Sequence, residues 1–259
     1  MQKINWTRNE LIIAFNLYCK IPFTKINASN KQVKELSGIL GRSVSAVALK
    51  LANFARLDPA LQNRNISGMR HGGKAEIEIW KEFHGNWEEL TYQSERLLAK
   101  YQGVSLESSA KIDLDNLPKE GKERETVIQS RVNQNFFRLA ILASYDNRCC
   151  ITGLHLPELL VASHIVPWSV DKENRLNPCN GLCMNLLHDK AFDRGLMTIT
   201  QDYKIILSRK LIKSLKDTSV ESYFLPFDNQ SIMLPQRFLP GKEYLKYHNE
   251  NVFVDVRQA

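Results

Sequence analysis

After Thr7-Arg8-Asn9-Glu10, apolar residues return at Leu11, Ala14, Phe15 and Tyr18, the three-and-four spacing of one helix face. Thr7 and Glu10 stand as in a capping box, so a helix begins there, and a loop with Pro22 breaks it. Val33, Leu36 and Leu40 line a second helix, and Gly41 suits the left-handed position that ends it. Ser43 caps a third, with Val44, Val47, Leu51 and Phe54 on its apolar stripe. Two further helices are expected around Glu76–Phe83 and Trp87–Tyr101, sharing Trp80, Phe83, Trp87 and Leu90 as a small core. Residues 103–122 are polar, carry Pro and Gly and keep no period, as a linker does. One long helix follows, with Val127, Val132, Phe136, Leu139 and Ile141 inside.

The pattern changes at Cys149. CCITGLHLPELLVASHIVPW reads as strand, turn and strand, with His164 closing the second strand. A loop leads to a helix expected to open at Asn180 and to carry His188 two turns inside. LMTITQDYKIILS then suggests two short strands joined at Gln201-Asp202, followed by helical RKLIKSLKD and a last helix near Lys242–Asn249. The chain therefore reads as α+β. A mostly helical domain spans 1–102, a linker 103–122, and a mixed domain 123–259.

Two short amphipathic helices around a tight Gly turn fit a helix-turn-helix or winged-helix-like module, whose second helix enters the major groove. Its outward side is expected to show Arg42, Ser45, Ala46, Lys50 and Asn53, side chains able to meet phosphate or base edges. DPALQNRNISGMRHGGK, with Arg64, Arg70, His71 and Lys74, is expected to be a wing, a mobile phosphate-touching loop or a solvated connector. Net charge is +7, which favours a polyanionic partner. Arg209, Lys210, Lys213 and Lys216 add a further basic cluster.

The segments C-x-x-G, SHI-x-PW, NP-x-NGL and HDKAFD-x-GL between Cys149 and Leu196 together resemble the HNH, or ββα-metal, endonucleases, in a subgroup of restriction endonucleases with an N-terminal DNA-binding module. The R-x-x-Q-x-x-F-R element holding Arg131 and Arg138 is similar to what precedes that subgroup's hairpin, and both arginines are candidate phosphate contacts. The resemblance implies hydrolysis of double-stranded DNA with Mg²⁺ or Mn²⁺, leaving a 5′ phosphate. It also implies a homodimer, since two cuts need two copies of the site, and modified cytosine is one candidate target.

The chemistry assigns the roles. An imidazole with a pKa near 6.5 can take a proton from water at neutral pH, and His164 is that base. His188 is the expected metal ligand, and Asn180 the side chain that ties loop to helix and orients the base. The family often places Asp or His before the base, whereas Ser163 stands here, a poor ligand for Mg²⁺. Asp189 and Asp193, four apart on one helix face, can replace the missing charge, Asp193 preferentially.

Relatives with a structural zinc use two C-x-x-C pairs. Here Gly153 stands three residues after Cys150, where the second cysteine of such a pair would be, so no zinc is expected. Cys179 and Cys183 have helical spacing and are expected to pack. Five cysteines without a framework suggest a reducing compartment. No apolar run suits a membrane span and no signal-peptide core follows the N-terminus, so the expected location is cytoplasmic. A weakly specific nicking or mobile-element nuclease and a DNA-binding protein with an inert nuclease fold are the rival readings.

Overall fold

The computed structural model describes residues 5–64, 73–113, 120–214 and 218–253. Arg70, His71, part of the expected linker and Lys216 lie outside them. The chain divides into two units, Met1–Ala143 and Ser144–Ala259.

In the first unit the described residues form helices and turns and no strand. The helices are α1 (Arg8–Lys20), α2 (Lys31–Leu40), α3 (Val44–Ala55), α4 (Pro59–Gln62), α5 (Lys74–Phe83), α6 (Trp87–Gln102), α7 (Leu106–Ser109) and α8 (Lys122–Ser144). The capping box of α1 forms, with Glu10 N donating to Thr7 Oγ1 and Thr7 N to Glu10 Oε2. Gly41 sits at φ 62° between α2 and α3, a conformation that costs a glycine little. Phe15 of α1 meets Phe54 of α3 at 4.9 Å and Trp80 of α5 at 5.1 Å between ring centroids. That aromatic contact joins the periodic stripes into one core.

Helix α8 corrects the expected boundary. Phe136 packs on Trp87 of α6, and Asn133 Nδ2 and Gln129 Nε2 donate to Glu88. The helix thus buries its apolar face with the first unit instead of opening the second.

The second unit carries two small antiparallel sheets. β1 (Leu160–His164) pairs with β2 (Gly181–Asn185), aligning His164 with Gly181. α9 (Leu186–Asp193) follows at once and packs on both strands. β3 (Met197–Ile199) pairs with β4 (Ile205–Leu207), and α10 (Arg209–Lys213), α11 (Thr218–Tyr223) and α12 (Lys242–Asn251) complete the described α-helices. The architecture is α+β, and among the described residues no helix is long and apolar enough to cross a membrane.

The hairpin is not composed as the sequence reading expected. Cys149–Gly153 is a tight turn, with Cys149 N donating to Leu154 O and Gly153 N to Cys149 O. His164 therefore closes the first strand of the hairpin, and the second strand begins after Asn180. The cysteines differ too: Cys179 lies in a 3₁₀ turn and Cys183 in β2, so their four-residue spacing is not helical. Cys149 Sγ accepts from the backbone N–H groups of Thr152 and Asn185, at 3.5 and 3.4 Å.

Candidate active site

The β1–β2 hairpin with α9 against it builds an open cavity of about 610 Å³. Ser163 and His164 enter it from the end of β1, and Asp189, Lys190, Asp193 and Arg194 from α9. Alternation along β1 does not separate the first two, because the strand ends there. Helical spacing puts Asp189 beside Asp193 and Lys190 beside Arg194.

His164 is oriented from behind. Its Nε2 donates to the carbonyl oxygen of Arg175 at 2.8 Å. A carbonyl can only accept, so the ring proton sits on Nε2 and Nδ1 is the basic nitrogen. Trp168 meets the imidazole edge-on at 5.4 Å, and the Arg175 guanidinium lies over the Trp168 ring. Burial lowers the imidazole pKa below its ordinary value, while the Arg175 carbonyl and the Asp189 charge pull it partly back. At neutral pH the ring is an uncharged acceptor of protons.

Asn180 is wholly buried and does not cap α9, which corrects the sequence reading. Its Oδ1 accepts from Val166 N at 2.8 Å, while its Nδ2 donates to Val166 O and, at 3.5 Å, to Asn174 O. Ile165 N donates to the Asn180 carbonyl. The side chain therefore clamps the loop leaving His164 onto the start of β2. Asn185 is the N-cap of α9, its Oδ1 accepting from His188 N at 2.9 Å.

The placement of His188 is the second correction. It lies in the first turn of α9, not two turns inside, and the cavity it lines is a different one. Its Nε2 donates to Tyr223 O at 3.0 Å, its Nδ1 lies 3.0 Å from Asn185 Oδ1, and Phe224 and Phe227 meet its ring. Both nitrogens face oxygens of the fold, so His188 holds α11 to α9 and does not join His164.

The residues that remain fit a hard cation. Burial raises the Asp193 pKa and the neighbouring Asp189 charge adds to it, against Lys190 and Arg194. A carboxyl held back from ionising next to a second carboxylate is a place where a divalent ion is favourable. Ser163 Oγ is buried against the same cavity and has no hydrogen-bond partner among the described residues. No group of three or more His, Cys, Asp or Glu side chains is arranged to hold a metal among the described residues. Mg²⁺ needs no such cage, since it keeps waters and uses one or two carboxylates with substrate phosphate.

Trp168 and Lys190 lie within the SHI-x-PW and HDKAFD-x-GL segments but have no role assigned from the sequence, and Arg175 and Arg194 are not singled out by it, although Lys190 and Arg194 share a helix face by simple spacing. His248 also sits on the cavity wall. It stacks on Phe192 at 3.6 Å, its Nδ1 lies 2.7 Å from Thr198 Oγ1, and burial pulls its pKa down to about 4. It is a neutral brace between α12 and α9.

In the first unit, the residues expected to face DNA are mostly engaged. The Arg42 guanidinium donates to both Glu10 oxygens and to Asn5 O, and lies over the Trp6 ring. Burial works against the Glu10 charge, but bonds from Arg42 and Thr7 outweigh it and hold the carboxyl below its usual range. Lys50 pairs with Glu76, and Asn53 Nδ2 donates to the same carboxylate at 3.0 Å. The outward face expected of Arg42, Lys50 and Asn53 is thus largely turned into the fold. Ser45 and Arg131 are exposed, and Arg138 is half-buried.

The hairpin and helix thus bring an imidazole, two carboxylates and two cations to one cavity. A family model described as HNH endonuclease matches residues 149–200, the span from the Cys149 turn through β3. This match supports a nuclease. No curated protein matches the chain.

Proposed function

We propose that the chain is a metal-dependent endodeoxyribonuclease of restriction type. The observation that carries this reading is the meeting of His164, Asp189 and Asp193 in one open cavity. His164 Nδ1 takes a proton from a water molecule as its oxygen attacks phosphorus. The bond from phosphorus to the 3′ oxygen breaks, leaving a 5′ phosphate, and the departing 3′ oxygen takes a proton from solvent to become a hydroxyl. Asp189 and Asp193 are the carboxylates that would hold a divalent ion, with the Ser163 hydroxyl beside them. Such an ion, when bound, neutralises charge on the phosphate and the leaving oxygen. Lys190 and Arg194 draw the backbone of the nucleic acid into the cavity.

The first unit serves as the DNA-recognition module, with α2, Gly41 and α3 as its helix-turn-helix. Arg131 and Arg138 on α8 are its candidate phosphate contacts. Cutting both strands calls for two copies, hence a homodimer. Modified cytosine is the target class to be tested first.

Incubating plasmid DNA with the protein and Mg²⁺ or Mn²⁺, beside His164→Ala, tests the reading. Cleavage lost in the variant with binding kept supports it, and equal cleavage by both proteins overturns it. Fixed paired ends mark restriction, while scattered nicks mark a weakly specific nuclease. Parallel digestion of unmodified, methylated and hydroxymethylated DNA reads the target class. A second reading, a DNA-binding protein with an inert nuclease fold, draws on the engagement of both His188 nitrogens. The same plasmid assay decides between them.

A further inference from the structure

Helix α9 serves two faces of the second unit. Asp189 and Asp193 line the candidate active cavity, whereas Leu186, Leu187 and His188 of its first turn line a separate hollow of about 370 Å³. Leu159 borders that hollow from the segment before β1, and Tyr223 and Phe227 from α11 and the turn after it. Leu159, Leu186, Leu187 and Tyr223 are exposed, and so are Leu156 and Leu225 in the neighbouring positions of the chain. Large apolar side chains gathered in this way mark a face that another surface covers.

Charge decides what covers it. Among the described residues the lining holds no Lys, Arg, Asp or Glu. Burial lowers the pKa of His188, whose two nitrogens face oxygens of the fold, so that ring is neutral at neutral pH. A nucleic-acid backbone is held by cations and finds none here. An acidic protein gains nothing from this face either, although the chain as a whole carries a net charge of +7. The same +7 makes two copies repel wherever their charged surfaces meet. A two-fold axis sets a patch against itself, so a charge near the axis meets its own kind. An uncharged apolar patch escapes that penalty, and it has the composition of an interface core.

We propose that two copies of the chain meet on this face, with the first turn of α9 and the side chain of Tyr223 packed between them. The inference deepens the reading of the chain as a nuclease that cuts both strands and rests on it for the arrangement of the two cuts. The association itself stands apart from that reading. Leu187 and Asp193 lie about 9 Å apart along the helix axis. With packed helices about 10 Å from one another, the two pairs of carboxylates fall on the order of 30 Å apart, under one duplex turn of about 34 Å. Paired cuts are therefore expected within about ten base pairs of each other.

Sedimentation velocity of the full-length chain, alone and with duplex DNA, tests the contact. The parent is expected to sediment as a dimer. Leu187→Glu puts a carboxylate into the patch of both copies, and Leu159→Glu does so from another element. Each is expected to weaken association at least about tenfold, because like charges are brought together. Both positions are exposed, so the fold should hold, which thermal melting checks. Leu49→Glu is the control: that leucine of the first unit is 45% exposed against 47% for Leu187, and the dimer should survive its replacement. On supercoiled plasmid the two patch variants should yield nicked circles where the parent yields linear product. A parent that stays monomeric with and without duplex, or patch variants that associate as tightly as the parent, overturns the inference. Linear product from a monomeric parent sinks the dimer face alone, and a dimer that never cuts sinks the nuclease reading alone.

Discussion

The Nε2 of His164 donates to the carbonyl oxygen of Arg175 across a distance of 2.8 Å. This bond decides which nitrogen is the base, because it commits the ring proton to the far side from Nδ1. It also makes the loop after β1 the support of this imidazole, although that loop contributes a backbone atom and no side chain to the bond.

Replacing His164 with Ala is expected to lower cleavage about a hundredfold to ten-thousandfold, the usual contribution of a general base. DNA affinity should hardly change. Single-turnover cleavage and a filter-binding titration measure the two separately.

The pH profile follows from the burial of the same ring. The neutral form is the active one, and burial holds the pKa below the ordinary imidazole value. Cleavage should therefore climb with pH below about 6.5, the unperturbed imidazole value, and be level through neutrality. A profile still rising steeply above neutrality would assign the base to another group.

Asp193 is held with its pKa raised, by burial and then by Asp189. A carboxyl whose folded pKa is raised weakens the metal-free fold once it ionises, and the loss disappears as pH falls through the folded pKa. Asp193→Asn should therefore melt higher than the parent at neutral pH without metal, with the gap closing in acid. Adding Mg²⁺ should raise the parent's Tm and leave that of Asp193→Asn nearly unmoved. Calorimetry with and without the ion reads both effects.

Asn180 is completely buried and serves Val166 at both its N–H and its carbonyl. Removing the amide strands those groups, at a cost of about 1–3 kcal/mol for each that stays unsatisfied. Asn180→Ala should lose stability by at least that amount and cut more slowly, because His164 leads into the clamped loop. Urea unfolding gives the first quantity.

His188 tests the corrected assignment. His188→Ala should cost stability by freeing α11 from α9, yet leave the Mg²⁺ concentration needed for half-maximal cleavage unchanged. A large rise in that concentration would return His188 to the metal shell.

Local signals settled much of this protein before any fold was known. The capping box at Thr7 and Glu10, the stop at Gly41, the helical stripes through Phe15 and Phe54, and the β3–β4 pair were all legible, because each depends on neighbours a few residues away. The same holds for the composite pattern around His164 and for the four-residue spacing of Asp189 and Asp193. What tertiary structure decided is direction and ownership. His188 and Asp189 are adjacent in sequence, but a helix turns consecutive side chains about 100° apart, so one faces Tyr223 and the other the cavity. Asn180 looked like a helix cap until β2 was seen to intervene, and α8 looked like the start of the nuclease until Trp87 and Glu88 claimed its inner face. Arg42, Lys50 and Asn53 carried the right chemistry for DNA, but Glu10 and Glu76, distant in sequence, bent them inward. Pairings across such separations leave no local periodicity, and only the folded chain can show them.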